Sequence, residues 1–121
     1  MYKVITYKDR NGNDEVADYL KCLNGKIATS KDARIRYTKI LKYIGQLRMY
    51  GLTVGEPTMK RIKNTELWEL RPTRDRIFFI YWKDDVFVLL SHFIKKSQKT
   101  PLREIERAER NRKDFMKRYG E

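Results

Sequence analysis

The sequence predicts one α+β domain, with helices packed on a small antiparallel sheet. Three observations carry that reading. Stretches 13–23 and 31–50 repeat apolar residues at helical spacing. Stretches 65–72, 74–82 and 86–96 are β-prone and joined by short turns. A basic amphipathic stretch, 101–119, ends the chain on a helical pattern. A chain of 121 residues can bury one modest core, so a single domain over 1–121 is expected.

Residues 2–8, YKVITYK, alternate and are rich in β-branched and aromatic side chains, which makes a first strand. The turn signal DRNGN follows. Val16, Tyr19, Leu20 and Leu23 then recur at spacings of three and four, a short helix closing near Gly25. Ser30 is placed to cap the helix 31–50, and Gly51 to end it. Tyr37, Ile40, Leu41, Ile44 and Leu47 form its apolar face. Lys31, Arg34, Arg36, Lys39, Lys42 and Arg48 stand mostly elsewhere on it, against the single acid Asp32. That basic side is either a solvated face or a seat for an RNA backbone.

Residues 51–65, with Gly51, Gly55 and Pro57, read as a loop. Alternation puts Trp68 and Leu70 on one side of the next strand and Leu67, Glu69 and Arg71 on the other. Arg74, Arg76, Phe78, Ile80 and Trp82 share a side of the strand after it. KDD, 83–85, is a tight connection to VFVLLSHFIKK. Thr100 is a candidate cap, with Pro101 at the first helical position. Leu102, Ile105, Ala108, Arg112, Phe115 and Tyr119 line one stripe of the last helix. The order is β-α-α-β-β-β-α, with two N-terminal helices on one sheet face. One C-terminal helix cannot cover the other face completely, which leaves room there for a ligand or partner.

The 28 Lys and Arg outnumber the 16 Asp and Glu, for a net charge of +12. An isoelectric point near 9.9 puts nucleic acid first among partners, ahead of an anionic membrane or an acidic protein. Cys22 and His92 are each the only residue of their kind, so no disulfide framework and no cysteine-type zinc site can form within the chain. Nothing in the sequence calls for a metal or another cofactor. No apolar run reaches the ~20 residues of a membrane span, and MYKVITYKDRNG has no apolar core of signal-peptide length. A cytoplasmic protein is expected.

Strand pairing brings charge together. A hairpin centred on Asp84 and Asp85 places Lys95 opposite residue 74, so Arg71, Arg74, Arg76, Lys95 and Lys96 converge at one sheet end. Glu69 and Asp75 are the acids nearby. Clustered cations repel, and such a cluster either faces an anion or serves as a charged strand edge. If the anion is RNA, the substrate supplies its own nucleophile, the 2′-hydroxyl. The protein must then remove that proton, stabilise the extra charge on the phosphoryl oxygens and protonate the leaving 5′-oxygen. Arginine forks suit the second task, and a lysine among other cations suits proton transfer. The candidate catalytic residues are Arg71, Arg76, Lys95, Lys96, Lys99 and His92. Lys60, Arg61, Lys63, Arg74 and Trp68 are candidates for holding RNA. Trp68, Tyr81 and Phe93 can stack bases or pack the core.

LWELRP (67–72), RIFFIYW (76–82) and VLLSHFIKKSQKTPLREIERAERNRKDF (88–115) resemble the HigB branch of the RelE/ParE toxin superfamily, which includes phage-derived host-inhibition toxins. The shared pattern is an ELR strand, an arginine opening the next strand, and then KKxxKTPxxEI. The resemblance implies a RelE-like fold similar to microbial ribonucleases. It also implies the toxin of a type II toxin–antitoxin pair that cuts mRNA in the ribosomal A site without a metal, touching 16S and 23S rRNA. The implied partner is a HigA-like helix-turn-helix antitoxin, with operator DNA bound only through that antitoxin and no membrane involved. By this resemblance Arg71 and Arg76 match arginines of the central strands, and Lys96 the basic residue ending the last strand. RelE carries lysines where this chain has Leu67 and Glu69, and its tyrosine after the last strand has no counterpart. Glu69, His92, Lys95 and Lys99 all stay open as general base or acid. ParE relatives act instead on DNA gyrase, and a nucleic-acid-binding module without catalysis is a further alternative.

Overall fold

The computed structural model describes residues 1–120. In chain order the elements are β1 (Lys3–Thr6), α1 (Glu15–Asn24), α2 (Lys31–Tyr50) and a 3-10 turn (Gly51–Val54). They continue with β2 (Met59–Arg61), β3 (Trp68–Leu70), β4 (Asp75–Tyr81), β5 (Val86–Ile94) and α3 (Leu102–Tyr119). The strands form a five-stranded sheet in the order β1-β5-β4-β3-β2. This is the expected α+β architecture, with two differences. β1 runs parallel to β5, with Lys3 beside Val86, so the sheet is mixed. β2 lies in the stretch read as a loop and pairs antiparallel with β3. Only Met59 of its three residues is apolar and buried, too short a run for alternation to show.

Helices cover both faces. α1 and α2 lay Val16, Leu23, Ala33, Ile40, Ile44 and Leu47 against Leu70, Ile77, Phe79, Phe87 and Leu89. α3 lays Ala108 and Phe115 against the reverse face, on Leu67, Phe78, Ile80, Val88, Leu90 and Phe93. Burial of these apolar surfaces is the main stabilising term. Some expected stripe members lie outside it. Leu41, Leu102 and Tyr119 are 45%, 68% and 54% exposed, because the buried arc of each helix is narrower than its apolar pattern.

Caps fix the two N-terminal helices. Asp14 accepts from the Ala17 amide at 3.0 Å, and Ser30 from the Ala33 amide at 3.0 Å. The β4–β5 turn uses Asp84 and Asp85 at φ 52° and 61°, a left-handed pair that suits a two-residue hairpin and that aspartate tolerates.

A one-residue bulge in β5 decides which side chains face which helices. Phe78 pairs with Ser91 but Phe79 pairs with Leu89, leaving Leu90 as the extra residue. Beyond it the alternation is inverted. His92, opposite Ile77, faces α1 and α2, while Phe93, opposite Arg76, faces α3.

On the α1/α2 side the sheet carries a buried ionic knot. Asp75 is fully buried. Its Oδ2 accepts from Arg36 Nε at 3.0 Å. Its Oδ1 accepts from Arg36 Nη2 at 2.8 Å and from the Tyr19 hydroxyl at 2.7 Å, and lies 2.9 Å from His92 Nε2. Tyr19 stacks on the His92 ring with centroids 3.6 Å apart. Arg36, assigned above to the basic side of α2, is therefore a core residue, because Asp75 supplies the countercharge that lets a guanidinium be buried. Burial works against the Asp75 charge, but hydrogen bonds from His92, Arg36 and Tyr19 outweigh it and hold the carboxyl well below the usual carboxylate range.

Two stability predictions follow from these contacts. Arg36→Met strands a buried carboxylate and should cost about 3–5 kcal/mol in urea unfolding, and an unchanged midpoint would refute the assignment. A depressed folded pKa means stability that is complete above the unfolded value, about 4, and lost as pH falls below it. Wild-type stability should therefore drop below about pH 4 more steeply than that of Asp75→Asn, whereas equal slopes would contradict this. At Gly51, φ is +64° and an added Cβ would sit 2.7 Å from the Tyr2 ring. Gly51→Ala should lower stability by more than about 1 kcal/mol, read as a shifted urea midpoint.

Candidate functional site

The basic residues of the central strands gather on the α3 side of the sheet, at the end away from the β4–β5 turn. β3 contributes Glu69 and leads into Arg71, which share a face with Leu67. β4 contributes Arg76, opposite Phe93 of β5. The Lys95 amide donates to the Arg74 carbonyl at 2.8 Å, so pairing continues past the end of β5 and carries Lys95 onto the same face as Arg76. The expected meeting of Lys95 with residue 74 is thus seen in the backbone.

Two grooves meet at Lys95. The larger, about 630 Å³, runs between β2, β3 and the segment leading into α3, and is lined by Lys60, Arg61, Lys63, Arg71, Lys95 and Lys99 together with Glu69 and Thr100. The smaller, about 490 Å³, is lined by Arg74, Arg76, Lys95 and Lys96 with Thr73, Ser97 and Gln98. Among the described residues, none of Lys60, Lys63, Lys95, Lys96 and Lys99 forms an ion pair. Other cations are committed. Arg74 Nη2 reaches Asp32 at 2.8 Å, and Arg61 donates from Nη2 to the Thr65 carbonyl at 2.9 Å.

Glu69 is the carboxylate under this array, 1% exposed. Arg71 Nε lies 3.2 Å from its Oε1, an ion pair without hydrogen-bond alignment, and the Thr100 hydroxyl donates to its Oε2 at 3.0 Å. Thr100 therefore does not cap α3. The helix begins after Pro101, which occupies the N-cap position and has no side-chain acceptor, and Thr100 lies one residue before it with its hydroxyl turned toward Glu69. Arg76 Nη1 donates to the carbonyls of Thr73 and Asp75 at 2.7 and 2.9 Å, and its Nε has no partner. Burial pulls the Arg76 guanidinium below its ordinary range, with Glu69 opposing the shift and Arg71 adding to it. Burial also lowers the Lys95 amine. Glu69 opposes that shift, while Arg76, Arg71 and Lys60 reinforce it.

The remaining candidates lie elsewhere. His92 is on the opposite sheet face, in contact with Asp75 and Tyr19. Asp75, counted above among the acids near the cluster, has its carboxylate on that face too, so among the described residues Glu69 is the acid that lines the grooves. Trp68 packs against Phe79 on the α1/α2 side, with ring centroids 6.4 Å apart. Phe93 is buried and stacked on Phe78, and Tyr81 is exposed beside the β4–β5 turn. Thr100 is the site residue whose role the sequence did not disclose, because a threonine before proline reads as a cap.

The arrangement can hold anions. Uncommitted ammonium groups surround a half-buried arginine fork, and a lysine with a lowered proton affinity sits where the grooves meet. No helix among the described residues is long and apolar enough to cross a membrane.

The matching family model, phage-derived Gp49-like protein (DUF891), covers residues 28–113, from the approach to α2 through most of α3. No curated protein matches the chain. The matched span contains β2 to β5 and every cation of the two grooves. The chain belongs to the phage-derived Gp49-like family, a family of RelE/HigB-like toxins.

Proposed function

We propose that the protein is the toxin of a type II toxin–antitoxin pair, a HigB-type endoribonuclease that cuts mRNA on the ribosome without a metal. The observation that carries this is the cleft itself: Lys60, Lys63, Arg71, Lys95 and Lys99 around a single buried carboxylate, beside Arg76 and Lys96. So much unneutralised charge suits a polyanion that passes through both grooves.

In this reading the 2′-hydroxyl attacks the adjacent phosphorus. Its proton leaves to a base, and the P–O5′ bond breaks as the 5′-oxygen takes a proton. The products are a 2′,3′-cyclic phosphate and a 5′-hydroxyl. Arg71 and Arg76 face the phosphoryl oxygens, where charge builds up in the transition state. Lys95 is the proton-transfer group, since it lies between the arginines and its ammonium gives up a proton more readily than an ordinary lysine. Lys60, Lys63, Lys96 and Lys99 hold the neighbouring phosphates. His92 serves the fold through Asp75. The linings supply cations rather than aromatic platforms, so binding should follow the backbone and leave codon choice to the ribosome. The inhibitory partner in this reading is a HigA-like helix-turn-helix antitoxin, which alone contacts operator DNA.

Primer extension on mRNA in a reconstituted translation reaction tests the reading. Wild-type protein should create new 5′ ends within the reading frame. Arg71→Ala and Arg76→Ala should each slow cleavage by about 10²–10³-fold while the fold persists. Intact message with wild-type protein, or unchanged growth arrest by both variants, would overturn it, and gyrase inhibition with untouched mRNA would favour a ParE-like action. Binding of single-stranded RNA should weaken with salt at a log–log slope of about −0.7 per phosphate contact, and Lys60→Ala and Lys63→Ala should each flatten it by about one contact. A slope near zero would contradict the polyanion track.

A further inference from the structure

A buried carboxylate in a cleft built to receive anions needs a reason. Glu69 is the middle residue of β3, one strand in from the sheet edge, and Leu67 just before that strand and Leu70 within it are apolar and fully buried. Burying an ionised group there is unfavourable unless partners compensate, and a negative charge weakens the field that attracts a phosphate. The partners are specific. One oxygen faces Arg71 Nε at 3.2 Å, and the other accepts from the Thr100 hydroxyl at 3.0 Å. Thr100 stands one residue before Pro101, the N-cap of α3, so its hydroxyl is free of any capping duty and is given to Glu69. The backbone between Ile94 and Leu102 has no regular structure, and it carries Lys95, Lys96 and Lys99. The side-chain hydrogen bond joining this segment to the groove floor is Thr100 to Glu69.

We propose that Glu69 is a positioning residue of the cleft, whose buried carboxylate holds Arg71 from below and, through Thr100, fastens the lysine-bearing 95–100 segment across the groove. At 1% exposed, with both oxygens engaged, it acts through its neighbours and not on the RNA. A second consequence is electrostatic. The charged groups that share a groove with Lys95 are Lys60 and Arg61 from β2, Lys63 just after it, Glu69 and Arg71 at β3, Arg74 and Arg76 at the start of β4, and Lys96 and Lys99 of its own segment, while α3 presents the uncharged Ile105 to the lining. Among the described residues Glu69 is the negative group of these linings, so it keeps Lys95 protonated to higher pH than the surrounding cations alone would allow.

The test uses the full chain with labelled lysine side chains, followed by NMR as pH is varied. In Glu69→Gln, the Lys95 midpoint should move to lower pH than in wild type, and an unchanged or raised midpoint would overturn the proposal. A second variant, Thr100→Val, keeps the charge and removes the tether. It should lower the cleavage rate at saturating ribosomes about tenfold, with KM within about twofold, and Thr100→Ser should restore it. An unaltered rate in Thr100→Val would also overturn the proposal. The rate arm rests on the nuclease reading, but the titration does not. Intact mRNA with wild-type protein would remove that reading, and the Lys95 midpoint would still decide the role of Glu69.

Discussion

Asp75 joins the fold to the cleft. Its carboxylate gathers Tyr19 from α1, Arg36 from α2 and His92 from β5 at the start of β4. Its carbonyl, on the same residue, accepts from Arg76 on the cleft side. One buried charge thereby connects both N-terminal helices to the strand that presents Arg76. Arg74 adds a second clamp from the same turn through Asp32, which also bonds Arg36 one helical turn away. The turn is strained at Thr73, with φ 46°, and these ties to α2 hold it.

The architecture was legible because its signals are local. Ser30 and Gly51 bracket α2 where capping chemistry places them. Alternation assigned Leu67, Glu69 and Arg71 to one face, and hairpin pairing brought Lys95 to Arg74. What escaped depended on pairing that alternation does not encode. The bulge at Leu90 exchanges the faces of His92 and Lys95, so plain alternation would have given the cleft the histidine. Asp75 and Arg36 lie 39 residues apart, and nothing near either announces the other. Each reads alone as a surface charge. β2 is too short to carry a period, and Thr100 resembles a cap because the sequence does not show that α3 takes Pro101 as its N-cap and leaves the threonine hydroxyl to Glu69.

The two sheet faces use charge in opposite ways. On the α1/α2 side every ionic group of the knot has a partner, which rigidifies the core. In the cleft on the α3 side, cations outnumber the one acid found among the described lining residues, and the excess stays open to solvent. The protein tolerates that repulsion where a polyanion can relieve it. Glu69 keeps the array from being wholly uncompensated, giving Arg71 and the segment before α3 a fixed reference inside the sheet.

In the proposed reaction the substrate supplies its own nucleophile, while the cleft supplies charge and a proton-transfer group. A message carrying a single 2′-deoxynucleotide at the mapped cleavage position tests this most directly. The account predicts that wild-type protein, on translating ribosomes, leaves that one linkage intact while cutting the all-ribose message to a 2′,3′-cyclic phosphate end. Cleavage at the deoxy position would contradict it, because the attacking oxygen would then come from elsewhere.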